Sequence, residues 1–349
     1  MSLYHRRFWL VIFFSISLFL INIFTLNDTL SYNSRSLRYN RRDRMKILVI
    51  CHNRPVELNN MLHSLLNDVR GVNKDDILIS QSGNNTEVYD VAKAHDLVII
   101  QHIDTKSNKL EKLGLHFKWS FERIFEMYPK SEGVIVLEDD LIFSPDFLEY
   151  FELTVPLLKK DKTLFSVSAW NDNGYKEYVC DSHRLKRSTF FPGLGWYLQR
   201  EQWEYNLKYL WKKTDWDWVV RKYIKMNNME VIVPEISRDY HASSSGTYMN
   251  KNLFISLFKN IELHRDIEFR WMKTDIEHVT SPVTYERHMS NMMKDGAYKK
   301  IFNTNEIRKF KLWNHEKERS SWRGIREICY QSERMFLIDD IEIYNNLTN

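Results

Sequence analysis

The feature that most constrains this chain is a short apolar run that ends in three consecutive acids. Residues 134–137 read Val-Ile-Val-Leu, and Glu138, Asp139 and Asp140 follow directly. A continuous, β-branched run of this length predicts a strand that is buried on both faces of a parallel sheet. Ligands bind at the carboxyl ends of such strands. Three adjacent carboxylates at that place need a cation, hydrogen-bond donors or raised pKa values.

The acids at 138–140 are oxygen donors, which suit Mg²⁺ or Mn²⁺ rather than zinc. These ions usually take one or two carboxylates together with the phosphates of a substrate. The stretch therefore predicts a divalent-cation site that binds a nucleoside diphosphate as its ligand. The alternative is a solvated acidic turn that merely follows a core strand.

Strand and helix patterns alternate along the rest of the chain. The predicted strands are 46–51, 76–81, 97–101, 134–137, 163–169 and one within 231–238. The predicted helices are 56–69, 87–95, 112–128, 146–160 and one that begins near 214. This alternation indicates an α/β fold with a doubly wound, mostly parallel sheet.

The positions of three further side chains make them candidates for functional roles. Arg54 follows the first strand, where a guanidinium can meet a phosphate, although a lone arginine there is more often a surface residue. His116 lies in the third predicted helix, where a single histidine usually has a structural role. Asp217 lies between two tryptophans at a helix start, which makes it a candidate general base.

The amino-terminal segment predicts a membrane anchor. Residues 8–26 carry no charge and have about the 20-residue length of a spanning helix. We expect a cytosolic tail at 1–7, a signal anchor at 8–26 and a stem at 27–44, with a cleaved signal peptide as the rival. The arginines of the stem oppose this orientation, whereas the sequons at Asn27, Asn84 and Asn346 favour a lumenal domain.

Composition excludes some classes of protein. The 349 residues, 43% of them hydrophobic, can bury a large core, which predicts one large domain with an appendage. The net charge of +4 is small and its cations are spread among nearly as many acids, so no nucleic-acid partner is expected. The three cysteines allow at most one internal disulfide, and Cys51 within a strand predicts a buried thiol.

Five motifs in order resemble one family, the inverting β-N-acetylglucosaminyltransferases of glycosyltransferase family 13. The resemblance covers about residues 45–262 and rests on these segments: Glu-Asp-Asp-Leu at 138–141 with Pro-Asp-Phe at 145–147, Ser-Ala-Trp-Asn-Asp-Asn-Gly at 168–174, Phe-Pro-Gly-Leu-Gly-Trp at 191–196, Trp-Asp at 216–217 and Pro-Glu-Ile-Ser-Arg at 234–238. It implies a GT-A fold, a single-pass type II protein of the Golgi membrane with a lumenal catalytic domain, UDP-GlcNAc as donor and Mn²⁺ as cofactor.

The resemblance also implies roles for individual residues. The metal ligand falls on Asp140 and the catalytic base on Asp217. The residues that it places around the nucleotide sugar are Arg54, His116, Glu138 and Asp139, with Leu194 and Trp216 at the acetamide methyl.

The chain departs from the family pattern at three places. Ser82 stands where an aspartate contacts the nucleotide, and Tyr248 stands at a lid serine within the flexible segment 242–250. Cys51 matches half of a family disulfide whose other half is Gly83 here, which implies a free thiol. These departures concern donor affinity and acceptor choice rather than the fold.

The expected acceptor is a mannose-terminated glycan, with β1,2 transfer to the α1,3-linked mannose of the N-glycan core. Two alternatives stay open: β1,2 transfer to protein O-linked mannose, and an anchored homologue that binds carbohydrate without catalysis. We expect the catalytic domain to span 45–264, followed by a small domain at 265–349 that the sequence leaves unassigned.

Overall fold

In the computed structural model of this protein the described residues are 45–105, 108–212, 215–246, 249–313 and 319–348. Met45–Asn349 form one compact unit. In the described ranges no helix has the length and apolar character needed to cross a bilayer. The predicted tail, anchor and stem at 1–44 lie outside these ranges, as does Tyr248.

The described strands are β1 Met45–Cys51, β2 Ile77–Ser82, β3 Val98–His102, β4 Gly133–Glu138, β5 Leu141–Phe143, β6 Leu164–Val167, β7 Leu185–Ser188, β8 Trp196–Gln199, β9 Glu230–Pro234, β10 Asp239–His241, β11 Lys299–Ile301, β12 Ile325–Tyr330 and β13 Glu333–Ile338. The longer helices are α1 Pro55–His63, α2 Thr86–Ala94, α3 Lys109–Met127, α4 Phe147–Lys160, α5 Trp216–Met226, α6 Pro282–Lys294 and α7 Ile341–Thr348. Shorter helical segments include Ser64–Asp68, Arg200–Gln202, Trp203–Leu207, Lys208–Leu210, Lys251–Leu253, Phe254–Phe258 and Lys273–Val279.

A mixed, mostly parallel sheet organises the chain. Its strand order is β3-β2-β1-β4-β8, and only β8 runs antiparallel to its neighbour. The predicted doubly wound α/β fold is confirmed in this respect. The first strand, β1, lies in the middle of the sheet, with β2 on one side and β4 on the other. The carboxyl ends of β1 and β4 therefore flank the crevice where such folds bind ligands.

Strand β4 is buried on both faces, as its apolar run predicts. Val134 and Val136 pack into the cluster that contains Phe117 and Phe121 of α3. Ile135 and Leu137 point to the opposite side, into a cluster with α1 and α4. Successive side chains of a strand alternate between faces, so helices on both sides of the sheet require an uninterrupted apolar strand.

The carboxy-terminal segment is built into the same core. Helices α6 and α7 and a three-stranded sheet of order β11-β13-β12 follow residue 265. Phe336 and Ile338 of β13 share an apolar cluster with Leu185 of β7 and Ile232 of β9. The predicted boundary between 264 and 265 therefore does not separate two cores, because residues from both sides of it belong to one apolar cluster.

Covalent and ionic links also hold the carboxy-terminal segment. Cys180 and Cys329 form a disulfide across 149 residues of chain, and Arg334 of β13 pairs with the buried Glu235. Cys51 is a free, buried thiol, as predicted.

Candidate active site

One cavity of about 600 Å³ lies at the carboxyl ends of β1, β2 and β4. This volume is within the range of small-molecule sites. Every residue that the sequence predicts for the site lines it, namely Arg54, His116, Glu138, Asp139, Asp140, Leu194, Trp216 and Asp217. The structure thus brings the predicted residues together, while the role of each one stays a prediction.

Arg54 is the partner of the acidic cluster. Pro55 occupies the first turn of α1, so the helix begins directly after Arg54 and the guanidinium faces the end of β4. Arg54 Nη2 donates to Asp139, and Nη1 donates to Asp140 Oδ2 at 2.7 Å. One cation thereby bridges two neighbouring carboxylates.

Burial, with repulsion among the acids as a smaller cause, raises the pKa values of two of them. Burial, with Asp140 and Asp139 as neighbours, raises the pKa of Glu138 to about 8. Burial raises the pKa of Asp139 to about 7, although Arg54 opposes this shift. At neutral pH Glu138 is therefore largely protonated, and the cluster carries fewer than three negative charges.

His116 is a neutral imidazole at the wall of the cavity. Its Nε2 lies 3.0 Å from the carbonyl oxygen of Ser80, and burial lowers its pKa to about 4. Since Nε2 carries the proton that the carbonyl accepts, Nδ1 holds the lone pair and is available as an acceptor. His102 and Trp119 stack beside it, with the His102 ring centroid 5.6 Å from that of His116.

A glycine turn shapes the opposite wall. Gly193 and Gly195 have φ values of +90° and +40°, and they flank the half-buried Leu194. A Cβ atom at position 195 would overlap the carboxylate of Asp239, so the turn requires glycine there. Trp216 lies next to this turn and stacks on Phe117 at 4.4 Å between ring centroids, which fixes its indole.

Asp217 lies in the first turn of α5 and is held by a neighbouring arginine. Arg221 Nη1 donates to Asp217 Oδ2 at 2.5 Å, and Arg221 Nε donates to the carbonyl oxygen of Phe191 at 3.1 Å. The base candidate is therefore tied to the same loop that presents Leu194. Sequence reasoning missed Arg221, although its spacing of four residues from Asp217 places the two on one helix face.

Three more cavity residues also escaped sequence reasoning as site residues. Asp172, in the quoted Asn-Asp-Asn-Gly motif, pairs with Arg319, with 3.2 Å between Asp172 Oδ2 and Arg319 Nη1. The Arg319 guanidinium lies over the Trp313 ring, 4.0 Å from its centroid. Trp313 and Arg319 belong to the carboxy-terminal segment, and no local pattern there indicates that they reach the cavity.

His241 is a further residue of the cavity that the sequence did not indicate. It ends β10, which pairs antiparallel with β5, so that His241 lies opposite Leu141. The strand register thereby places its ring beside Asp140, with 3.4 Å between His241 Nε2 and Asp140 Oδ2.

Comparison with known proteins identifies the family. The family model described as "GNT-I family" matches residues 30–343. The chain therefore belongs to the GNT-I family.

A curated relative agrees with this assignment. It is the alpha-1,3-mannosyl-glycoprotein 2-beta-N-acetylglucosaminyltransferase of Arabidopsis thaliana, which is 33% identical over 230 residues. The match covers 63% of this chain and 51% of the relative. This chain thus spans about half the length of that curated relative.

Solved structures are more distantly similar. S. aureus TarS 1-349 in complex with UDP-GlcNAc is 12% identical with a TM-score of 0.40, over 59% of this chain and 60% of that one. The mannosyltransferase PcManGT from Pyrobaculum calidifontis, in complex with GDP-Man and Mn²⁺, is 15% identical with a TM-score of 0.35, over 56% and 57% of the two chains. Both similarities are weak.

Proposed function

We propose that this protein is an inverting glycosyltransferase with a GT-A fold, which transfers GlcNAc from UDP-GlcNAc to a mannose hydroxyl of a glycan. The observation that carries the proposal is that Asp140 and Asp217, on different elements, line one cavity large enough for a nucleotide sugar. Membership of the GNT-I family and the name of the Arabidopsis relative support GlcNAc transfer. The β1,2 linkage and the α1,3-linked mannose of an N-glycan core are the finer part of the proposal.

A divalent cation suits the acidic cluster. Asp140 Oδ1 is a buried carboxylate oxygen without a hydrogen-bond partner among the described residues. This pattern fits an ion such as Mn²⁺ that takes few protein ligands and completes its shell with substrate phosphates. When bound, the cation would offset the charge that develops on the leaving diphosphate.

The chain's own residues would position the donor. Arg54 places a guanidinium at the mouth of the crevice, where it suits a diphosphate or base. His116 Nδ1 can accept a hydrogen bond from a bound base, and Leu194 with Trp216 offers an apolar contact for the acetamide methyl. Arg54 Nη1 also donates to the carbonyl oxygen of Ser245 at 3.0 Å, which ties the 242–246 segment to the cavity.

Asp217 would act as the general base. Its carboxylate would take the proton of the acceptor hydroxyl while the hydroxyl oxygen attacks C1 of GlcNAc. The bond from C1 to the phosphate oxygen breaks with its electron pair on UDP, and attack from the opposite face inverts the anomeric centre. Proton transfer of this kind contributes about 10²–10⁴-fold to the rate.

The acceptor would lie against Asp172, Arg319 and Trp313. The Arg319 guanidinium and the buried Asp172 carboxylate, beside Trp313, can hydrogen-bond the hydroxyls of a pyranose. Burial raises the pKa of Asp172, and Arg319 and Arg221 oppose the shift. The acceptor subsite is thus built partly by the carboxy-terminal segment.

We extend the proposal to location, as a single-pass type II protein of the Golgi membrane with this domain in the lumen. The Cys180–Cys329 disulfide supports an oxidising compartment. Immunolocalisation with protease protection of the full chain would test it, since a cytosolic catalytic domain would be digested in intact vesicles.

Two substitutions separate the proposed roles. Asp217→Asn is expected to lower turnover about 10²–10⁴-fold and to leave UDP binding in Mn²⁺ near wild type. Asp140→Ala is expected to remove the Mn²⁺-dependent part of UDP binding, as measured by calorimetry with and without the metal. Wild-type turnover in Asp217→Asn would show that Asp217 is not the general base.

A further inference from the structure

His241 is placed beside Asp140 by the backbone rather than by a flexible side chain. Strands β5 and β10 pair antiparallel with His241 opposite Leu141, and the amide of Ala242 donates to the carbonyl oxygen of Asp140 at 2.8 Å. Main-chain hydrogen bonds therefore fix the backbone at both Asp140 and His241. His241 Nε2 lies 3.4 Å from Asp140 Oδ2.

The two side chains are buried at the wall of the same cavity. His241 is 8% exposed and Asp140 is 6% exposed, and both line the cavity. The His241 ring packs on Phe258 with 5.1 Å between ring centroids, which limits its rotation. An imidazole nitrogen is a common metal ligand in proteins.

The partners of Asp140 leave capacity for a ligand. Arg54 donates to Asp140 Oδ2, whereas Asp140 Oδ1 is buried and has no hydrogen-bond partner in the part of the chain that the structure describes. A carboxylate with an unpaired oxygen next to an imidazole is a mixed oxygen and nitrogen donor set. Such a set favours Mn²⁺ over Mg²⁺, because magnesium binds imidazole poorly.

We propose that His241 is a second protein ligand, with Asp140, for a divalent cation in this cavity, and that the imidazole makes the site selective for Mn²⁺ over Mg²⁺. The proposal rests on the proposed function only in assuming that a nucleoside diphosphate supplies the remaining ligands. The selectivity comes from this chain's own side chains.

Electron spin-echo envelope modulation of Mn²⁺ tests the contact directly. The full chain, stripped of metal with a chelator, is mixed with Mn²⁺ and UDP, and the ¹⁴N modulation of the bound ion is recorded. The wild type is expected to show coupling to a directly bound imidazole nitrogen, and His241→Ala is expected to lose it. Labelling histidine with ¹⁵N should replace the ¹⁴N pattern in the wild type.

Affinities measured on the same samples test the selectivity. His241→Ala should weaken Mn²⁺ binding about 10-fold or more, on the scale of losses at metal sites, and weaken Mg²⁺ binding less than about 3-fold. His183→Ala is the matched control, because His183 Nδ1 also pairs with a carboxylate, Asp275, at 2.8 Å, but lies outside the cavity lining. This control should keep the wild-type Mn²⁺ affinity and modulation.

The outcomes separate this proposal from the proposed function. GlcNAc transfer without nitrogen coupling in the wild type overturns the His241 ligand and leaves the transferase proposal standing. Coupling that is lost in His241→Ala, in a protein that transfers no sugar, supports the ligand and overturns the transferase proposal. Coupling that persists in His241→Ala, or absence of Mn²⁺ binding by the wild type with UDP, overturns the ligand proposal.

Discussion

Arg221 should control turnover because it fixes the carboxylate of the proposed base. It contributes one charge-assisted hydrogen bond to Asp217 Oδ2 at 2.5 Å and one to the Phe191 carbonyl at 3.1 Å. Its guanidinium also lies over the Phe190 ring, 4.9 Å from the centroid. Arg221→Met removes both hydrogen bonds and keeps much of the apolar stem.

The expected magnitude follows from these contacts. A hydrogen bond between charged groups is worth about 1.5–3 kcal/mol, and the Arg221 and Asp217 side chains are 23% and 34% exposed, so water screens the pair. We take the lower end, about 1.5 kcal/mol, which corresponds to roughly a tenfold loss of kcat. Stability should fall by less than about 1 kcal/mol, as for other exposed helical pairs.

The assay is UDP release at saturating UDP-GlcNAc and mannoside, with KM for both substrates and a thermal melt. Arg221→Met should lower kcat with little change in donor KM, and Arg221→Lys should recover part of the loss because it keeps the charge. Arg123→Met is the control, since Arg123 pairs with Glu126 at 2.8 Å on an exposed helix face. A kcat for Arg221→Met within twofold of wild type would show that Arg221 does not position Asp217 for catalysis.

Three other predictions concern stability. Because burial raises the pKa of Glu138 to about 8, the folded chain holds a proton that the unfolded chain loses above its ordinary pKa of 4.5. Without metal, stability should therefore fall as pH rises from about 4.5 to 8, and thermal melts in EDTA should show that the advantage of Glu138→Gln over wild type grows across this window. Replacing Cys180 and Cys329 together by serine should cost about 2–5 kcal/mol in chemical unfolding, since the bridge closes a loop of 149 residues; an unchanged midpoint would contradict a structural role. Gly195→Ala should lower stability by at least about 1–2 kcal/mol from its left-handed backbone alone, and overlap with Asp239 should add to this; a melt equal to wild type would show that the turn relaxes freely.

The sheet could be predicted from local pattern alone. Strands β1, β2, β3 and β4 are short apolar runs between helical periods, and each of their predicted bounds differs from that of the structure by at most one residue. For β1, β2 and β4 the reason is physical, because these strands are mostly buried and a strand buried on both faces is apolar at consecutive positions. The same logic located Glu138, Asp139 and Asp140 at the open end of the sheet.

The site residues that the sequence did not predict are brought in by tertiary contacts, which a local sequence pattern does not indicate. His241 reaches Asp140 only through the register of β5 and β10, and Arg319 reaches Asp172 only after the carboxy-terminal segment packs into the shared core. The pairing of Cys180 with Cys329 likewise follows from the tertiary fold, since spacing does not determine connectivity.

We propose that one cavity both activates a mannose hydroxyl and binds the GlcNAc donor for transfer with inversion. The most direct measurement is nuclear magnetic resonance of the product formed by the full chain from UDP-GlcNAc, Mn²⁺ and a panel of N-glycan-core and O-linked mannosides. We predict a new β-anomeric GlcNAc resonance on mannose O2, which Asp217→Asn abolishes. An α-linked product, or no product from any mannoside while UDP-GlcNAc binds normally, would contradict the account.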